Sequence, residues 1–327
     1  MNRSLRFVVV ALVWGLGGQV LAGPCDGINF DTVIFWDDFD TVPPCNIPDP
    51  AKWDINHPIP GECWWVQGRT FFPNPLCDYK PPDPPFPHVV AVENGRDDRA
   101  CEIRHYQYNP YDLGTPKTTF LGGEIHTVMP FDPTQCYRFE ARVRWPQAPR
   151  GLVTSFFTYG YYGDVRKESD EIDFEYLSNE VFDPPRQVLT NTWNDSQQKP
   201  AQVVIPDGFD LTVWQTFRMY WCPDPCVKWT WINPSTGQEE VLRTETDPAY
   251  IPDEPMQLYF NFWAPLPIWE KAYDASLQPD QVDNGVSYEY FIDYAEVRVP
   301  EPASVMSLVV GATWIISRRK RLLRPMR

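Results

Sequence analysis

Residues 171–175 read Glu-Ile-Asp-Phe-Glu, with a carboxylate at every second position. A β-strand turns successive side chains to opposite faces, so Glu171, Asp173 and Glu175 share one face while Ile172, Phe174 and Tyr176 point the other way, into a core. Like charges side by side on a sheet repel, so the row costs stability. At a rise of about 3.3 Å per residue the Cα atoms of Glu171 and Glu175 lie roughly 13 Å apart. Two extended glutamates leaning together close this to a carboxyl separation of about 6 Å, against about 5–5.5 Å for retaining and about 6.5–9.5 Å for inverting glycoside cleavage. Asp173, between them, is placed to share a proton or hydrogen bond with either, which pushes neighbouring acidities apart as acid/base chemistry requires. An exposed acidic strand or a cation site would leave the same five residues, so the rest of the chain has to decide.

The elements that must position this row are themselves strands. Short alternating segments recur at Val33–Phe39, Val89–Val92, Ala100–Tyr106, Tyr137–Trp145, Leu152–Thr158, Glu171–Tyr176, Arg186–Thr192, Trp214–Trp221, Val227–Ile232, Gln257–Trp263 and Tyr288–Val299, separated by turn signals such as Asn233 to Gly237. With 36 prolines in 327 residues, long helices are hard to place. The pattern predicts one all-β domain, a two-sheet sandwich or jelly roll. Pro43 to Pro87 stands apart, with thirteen prolines, three cysteines and the pair Trp64-Trp65. It reads as a long irregular loop pinned by disulfides. Of the eight cysteines, Cys222 and Cys226 are expected to pair across a tight proline-rich turn and Cys101 with Cys136 between two strands, leaving Cys25–Cys45 and Cys63–Cys77. Zinc is not expected at Cys222 and Cys226, because His105 and His126 lie far off in sequence.

The ends of the chain speak to location. Residues 1–22 have a basic start at Arg3 and Arg6, an apolar run from Phe7 to Leu16 and the small-residue site Val20-Leu21-Ala22, the layout of a secretory signal. At the other end Pro300-Glu301-Pro302 precedes an apolar stretch from Ala303 to Ile316 and a basic cluster at Arg318, Arg319, Lys320, Arg321, Arg324 and Arg327. That order resembles the PEP-CTERM sorting signal of exopolysaccharide-making Gram-negative bacteria. The resemblance implies an exosortase-type processing partner and release or surface attachment; an uncleaved membrane anchor is the alternative. The stretch between the two ends, counted through Glu301, keeps 20 basic residues against 44 acidic ones. Such a body repels polyanions, which excludes nucleic acid and is compatible with neutral glucans. The cysteine content agrees with an oxidising, exported location.

Around the acidic strand further blocks fall in order. GGEIHT (122–127) and YRFEARVR (137–144) come first, then GLVTSFFTY (151–159) before DEIDFEYL (170–177). WQTFRMYW (214–221), LYFNFW (258–263) and FIDY (291–294) follow. In these blocks the chain resembles glycoside hydrolase family 16, close to bacterial lichenases and plant xyloglucan transglycosylases, well over 115–299 and loosely over 30–114. The resemblance implies a β-jelly roll of two curved antiparallel sheets with a glycan cleft on the concave face and no required cofactor. It implies Glu171 as nucleophile, Glu175 as acid/base and Asp173 as the group tuning both. The Glu-x-Asp-x-Glu spacing, one residue shorter than in laminarinase-like members, implies endo-action on β-1,4 or mixed-linkage glucan.

The resemblance also assigns a lining. Glu124 matches a sugar-binding glutamate, and Phe157, Tyr159 and Trp193 match cleft aromatics. Asn261 and Trp263 match the strand facing the catalytic one. Asp293 matches a residue that helps hold a structural calcium in some members. Two positions depart from the family pattern: His126 stands where an arginine is expected, and Ser169 where a tryptophan is. Both bear on substrate preference. The leading function is an exported endo-β-glucanase; a transglycosylase remodelling exopolysaccharide and a non-catalytic glycan-binding surface protein are the alternatives.

Overall fold

Period-two alternation of apolar residues builds two antiparallel sheets that face each other across a single aromatic core. In a computed structural model of the chain, residues 25–301 are described except 41–46, 56–63, 74–86, 162–168, 196 and 224. The secretory and sorting segments therefore lie outside the described residues. Among those described, no helix is long and apolar enough to cross a membrane.

Among the described residues the first sheet has eleven strands, antiparallel except where Thr70–Pro73 runs parallel to Phe120–Leu121. Its centre runs Glu239–Glu245, Cys226–Ile232, Gln215–Cys222, Tyr137–Arg144, Ser287–Val299 and Arg99–Tyr106, and Thr32–Asp37 also pairs with Ser287–Val299. The second has eight strands, with Gln187–Asn194, Ser169–Leu177, Val153–Tyr161, Gln257–Trp263, Gly123–Thr127 and Trp53–Asp54 as successive neighbours, and Ala201–Val204 beyond the first of these. This is the jelly roll that the pattern predicts. Every expected strand is present, with ends shifted by a few residues. Thr32–Asp37 stops early because Phe39 takes a positive φ of 57°, its N–H held by Asp37 Oδ1.

Between the sheets, Phe156 stacks on Phe174 and Phe260 at 6.2 and 5.4 Å, and Phe174 meets Phe217 of the facing sheet at 5.1 Å. Ile172, Phe174 and Tyr176 are fully buried. Burying each such side chain is worth about 1.5–3 kcal/mol, so the apolar half of the acidic strand fixes its register and with it the direction of its carboxylates.

Two expectations are corrected. Among the described residues the disulfides are Cys25–Cys226 and Cys136–Cys222, not Cys222–Cys226, Cys101–Cys136 or Cys25–Cys45. Cys222 and Cys226 are direct register partners across their hairpin, yet each turns to a partner outside it, and Cys101 is a buried free thiol. Cys63 and Cys77 lie outside the described residues. Residues 43–87 are also not wholly irregular: Trp64–Gln67 and Thr70–Pro73 form a hairpin on the edge of the first sheet, and Trp53–Asp54 pairs with Gly123–Thr127. The tight turn at Gly68, with φ of 59°, allows that hairpin where the proline count argued for a loop.

Candidate active site

The strand Ser169–Leu177 runs between Val153–Tyr161 and Gln187–Asn194 with unbroken register through all three acids. Register partners share a face, so side chains form rows across the strands. One row is Trp193, Glu171, Tyr159 and Gln257. The next is Asn191, Asp173, Phe157, Tyr259 and His126. The third is Leu189, Glu175, Ser155, Asn261 and Glu124, and a fourth brings Val153 and Leu177 to Trp263. Every residue expected in the cleft thus falls on one contiguous face. A bond held between Glu171 and Glu175 lies over the middle row, so a bound chain would cross the strands.

This face is recessed, as an outward sheet face ordinarily is not. Asp173 is 3% exposed, His126 4%, Phe157 7% and Glu124 8%. The acids respond to that burial. Desolvation raises the pKa of Glu175 to about 8, with the charge of Glu171 adding to it. Desolvation raises Glu171 to about 7, opposed by a hydrogen bond from Asp173. Asp173 is pushed well above the carboxylate range by burial and by the charges of Glu171 and Glu175. It therefore keeps its proton and can donate it in the hydrogen bond to Glu171. Burial also lifts Glu124 to about 8, although Asn261 Nδ2 donates to its Oε2 at 3.3 Å.

The row is braced from behind and from its end. Trp229 Nε1, on the facing sheet, donates to the Asp173 carbonyl at 2.9 Å through the core. Asp170 accepts the backbone N–H groups of Asp195, Asp253 and Glu254, fixing the strand start to two neighbouring loops.

Aromatic rings complete the lining. Tyr259 stacks on His126 at 4.6 Å and meets Phe157 and Tyr159 at 5.1 and 5.8 Å. Trp263 is more enclosed than a cleft wall: it is 8% exposed, stacked at 5.5 Å by Trp269, and clustered with Phe72, Val153, Leu177 and Leu189. Trp65, rather than Trp64, packs against this cluster; Trp64 is 48% exposed and stacks on Phe71. Sequence reasoning missed Tyr259 and Asn191, each two residues from a named position on its own strand, so the period of two would have found both. It also missed Gln67, whose Oε1 accepts from Asn261 Nδ2 at 3.2 Å. Gln67 arrives from the hairpin, and nothing in the sequence signals that.

The calcium expectation was tested at Asp293. Its carboxylate is fully buried and already accepts from Asn94 Nδ2 at 2.5 Å and Arg142 Nη1 at 2.6 Å, with Arg96 Nη1 at 3.5 Å. Two guanidinium groups stand where a cation would, so this donor set does not fit calcium at Asp293.

The sequence model of glycosyl hydrolases family 16 matches residues 101–281, more than half of the chain and all of the rows described above. The chain belongs to this family. A probable xyloglucan endotransglucosylase/hydrolase of Arabidopsis thaliana is 30% identical over 129 residues. That stretch is 38% of this chain and spans 34% of the plant protein's length. Among solved structures, a family 16 protein of the Bacteroides ovatus mixed-linkage glucan locus, in complex with a product, aligns at a TM-score of 0.56 with 16% identity, over 81% of this chain and 100% of its own. The catalytic domain of an endo-1,3-β-glucanase (laminarinase) from Thermotoga petrophila aligns at 0.55 with 16% identity, over 84% and 99%. Family 16 membership makes this chain a glycosidase, and the two structures share its fold.

Proposed function

We propose that the protein is an exported, retaining endo-β-glucanase acting on mixed-linkage (β-1,3-1,4) or β-1,4-linked glucan. The observation that carries this reading is the unbroken register that sets Glu171, Asp173 and Glu175 on one recessed, aromatic-lined face. The glucanases and the product complex among the related structures support the substrate class. In the first step the ionised Glu171 carboxylate attacks the anomeric carbon. The carbon–oxygen bond to the leaving sugar breaks, and the proton of Glu175 passes to that oxygen. In the second, Glu175, now a carboxylate, takes a proton from water as its oxygen bonds to the same carbon, and Glu171 leaves as a carboxylate. Asp173 holds Glu171 by donating a hydrogen bond throughout. Purified protein is expected to shorten barley mixed-linkage glucan and Glu171→Gln to leave it intact; equal activity in both rejects the reading.

A second outcome for the same intermediate is transfer to a sugar hydroxyl in place of water, favoured by the likeness to a plant endotransglucosylase/hydrolase. Product analysis with an added acceptor oligosaccharide separates the two. The signal-like segment and the PEP-CTERM-like tail support a location outside the cell, at the surface of a Gram-negative-type bacterium, with an exosortase-type enzyme as the proposed processor of the tail near Pro300 to Pro302. Mass analysis of the mature C-terminus tests that.

A further inference from the structure

The first sheet turns its outer face away from the carboxylate rows, and that face carries its own groove. Along Tyr137–Arg144, Phe139, Ala141 and Val143 are fully buried, while Arg138, Glu140 and Arg142 point outward. Register sets Arg138 beside Arg298, Glu140 beside Glu296 and Arg218, and Arg142 beside Tyr294, with Trp36 next to Glu296. These side chains, with Arg96, line a groove of about 710 Å³, within the roughly 300–1,000 Å³ usual for ligand sites.

Its charges are layered. Glu296 accepts from Arg138 and Arg298, and Glu140 from Arg218 Nε and Tyr294 Oη, so both carboxylates are engaged within the groove. They lie deep, at 6% and 10% side-chain exposure, while the guanidinium groups of Arg96, Arg142 and Arg298 stand above them at 33%, 24% and 29%. Each guanidinium carries five N–H donors, and the acids below leave several unmet. Asp293, Asp38 and Glu239 also pair with Arg142, Arg96 and Arg218, so the groove faces solvent with only part of its guanidinium donors free, in a chain whose net charge is −16. Beside it, Trp36 and Tyr294 stack at 5.1 Å, and Arg96 lies over both rings.

We infer that this groove is a second, non-catalytic glycan site that takes an acidic oligosaccharide, its carboxylates on the arginines and its sugar faces against Trp36 and Tyr294. Guanidinium forks match carboxylates bidentately, and an aromatic pair offers a surface for C–H faces of sugars. A lone inorganic anion would use neither the rings nor the length of the groove. A nucleic acid, extending well beyond the groove, would meet the acidic remainder of the chain, which a short acidic oligosaccharide held within it would not.

The test uses the full chain and a β-1,4-linked tetraglucuronate, titrated calorimetrically at about 50 and about 300 mM salt, with cellotetraose as the neutral control. Tetraglucuronate is expected to bind, to weaken by about fivefold at the higher salt, and to bind Glu171→Gln as it binds wild type. Trp36→Ala and Arg96→Gln are each expected to lose about tenfold in affinity while turnover of neutral glucan is unchanged. Should either variant fail to fold, competition in wild type decides: a neutral tetrasaccharide that leaves tetraglucuronate binding intact supports the separate site. Absence of binding, displacement by the neutral sugar, equal affinity in folded groove variants, or equally tight binding of inorganic phosphate or a short DNA strand would each overturn it.

Discussion

Glu175→Gln is expected to abolish turnover and, in the same molecule, to stabilise the fold at alkaline pH. Burial first and the charge of Glu171 second move Glu175 from 4.5 to about 8. At about 1.4 kcal/mol per pH unit this sets an upper bound of about 5 kcal/mol on the cost of ionising the folded cleft. Glu175 is partly exposed and shares its charge with Glu171 and Asp173, so screening and coupling bring the figure to about 1–3 kcal/mol. The sign follows from the order of proton release. Below about pH 4.5 folded and unfolded chains both hold the proton, and the raised pKa costs nothing. As pH rises the unfolded chain releases it first, and stability is lost until the folded carboxyl also ionises near pH 8. Glutamine cannot ionise and escapes the loss. At about 2–4 °C per kcal/mol, the variant should melt about 2–12 °C above wild type at about pH 9 and close to it at about pH 5. Thermal unfolding of wild type, Glu175→Gln and the exposed-site control Glu270→Gln, followed by near-UV circular dichroism, measures this. Melting curves for Glu175→Gln and wild type that fall in parallel with pH would refute the claim that burial strains this carboxylate.

Turnover should follow a bell-shaped pH profile, falling on the acid side as Glu171 takes a proton near 7 and on the alkaline side as Glu175 loses its own near 8; a rate that is flat across that interval contradicts the assigned roles. Glu171→Ala should lower kcat by at least about 10³-fold, with azide restoring bond cleavage to give the inverted glycosyl azide, and retained activity rules out the nucleophile assignment. Gly68→Ala should lower stability by about 1–3 kcal/mol, because the residue has a φ of 59° and an added Cβ would collide with the Ala264 carbonyl and the Trp263 ring; an unchanged melting temperature shows that the hairpin can move away. Arg142→Ala should destabilise by about 2–4 kcal/mol by leaving the Asp293 charge buried; an unchanged melting temperature would show that Asn94 and Arg96 suffice to hold that charge.

The strands and the acid row were legible because one physical rule, alternation, writes both core and site. Ile172, Phe174 and Tyr176 announce the buried face, and the three acids occupy what remains. Glu239–Glu245 was not legible, since an edge strand reading Glu-Glu-Val-Leu-Arg-Thr-Glu buries little and shows no apolar alternation. The disulfides failed for a different reason. Cys222 and Cys226 are close in sequence and in register, but proximity does not decide pairing when Cys25 and Cys136 arrive from distant segments to meet them. The walls of the recess were hidden in the same way, because Gln67, Trp65 and Trp269 reach the site by tertiary packing that no local pattern encodes.

The two departures from the family pattern change the lining in opposite senses. Where the resemblance implies an arginine, His126 lies flat against Tyr259 at 4.6 Å and 17°. A fork of hydrogen-bond donors is thereby replaced by a stacked pair of rings, and that end of the middle row recognises sugar faces more than sugar hydroxyls. Ser169, in place of a tryptophan, stands opposite Tyr161 and offers no ring, so stacking on the Glu171 side of the cleft is left to Tyr159 and Trp193. Hydrogen bonding then falls mainly to Glu124 and Asn261, whose Nδ2 donates to both Glu124 and Gln67. The proton on Glu124, held by a pKa raised to about 8, makes it a donor as well as an acceptor at neutral pH. On the proposed glucanase reading, selection among β-glucans would rest on stacking at one end of the row and on one protonated carboxyl beside it, while the three acids keep the spacing by which the chain resembles lichenases and xyloglucan enzymes.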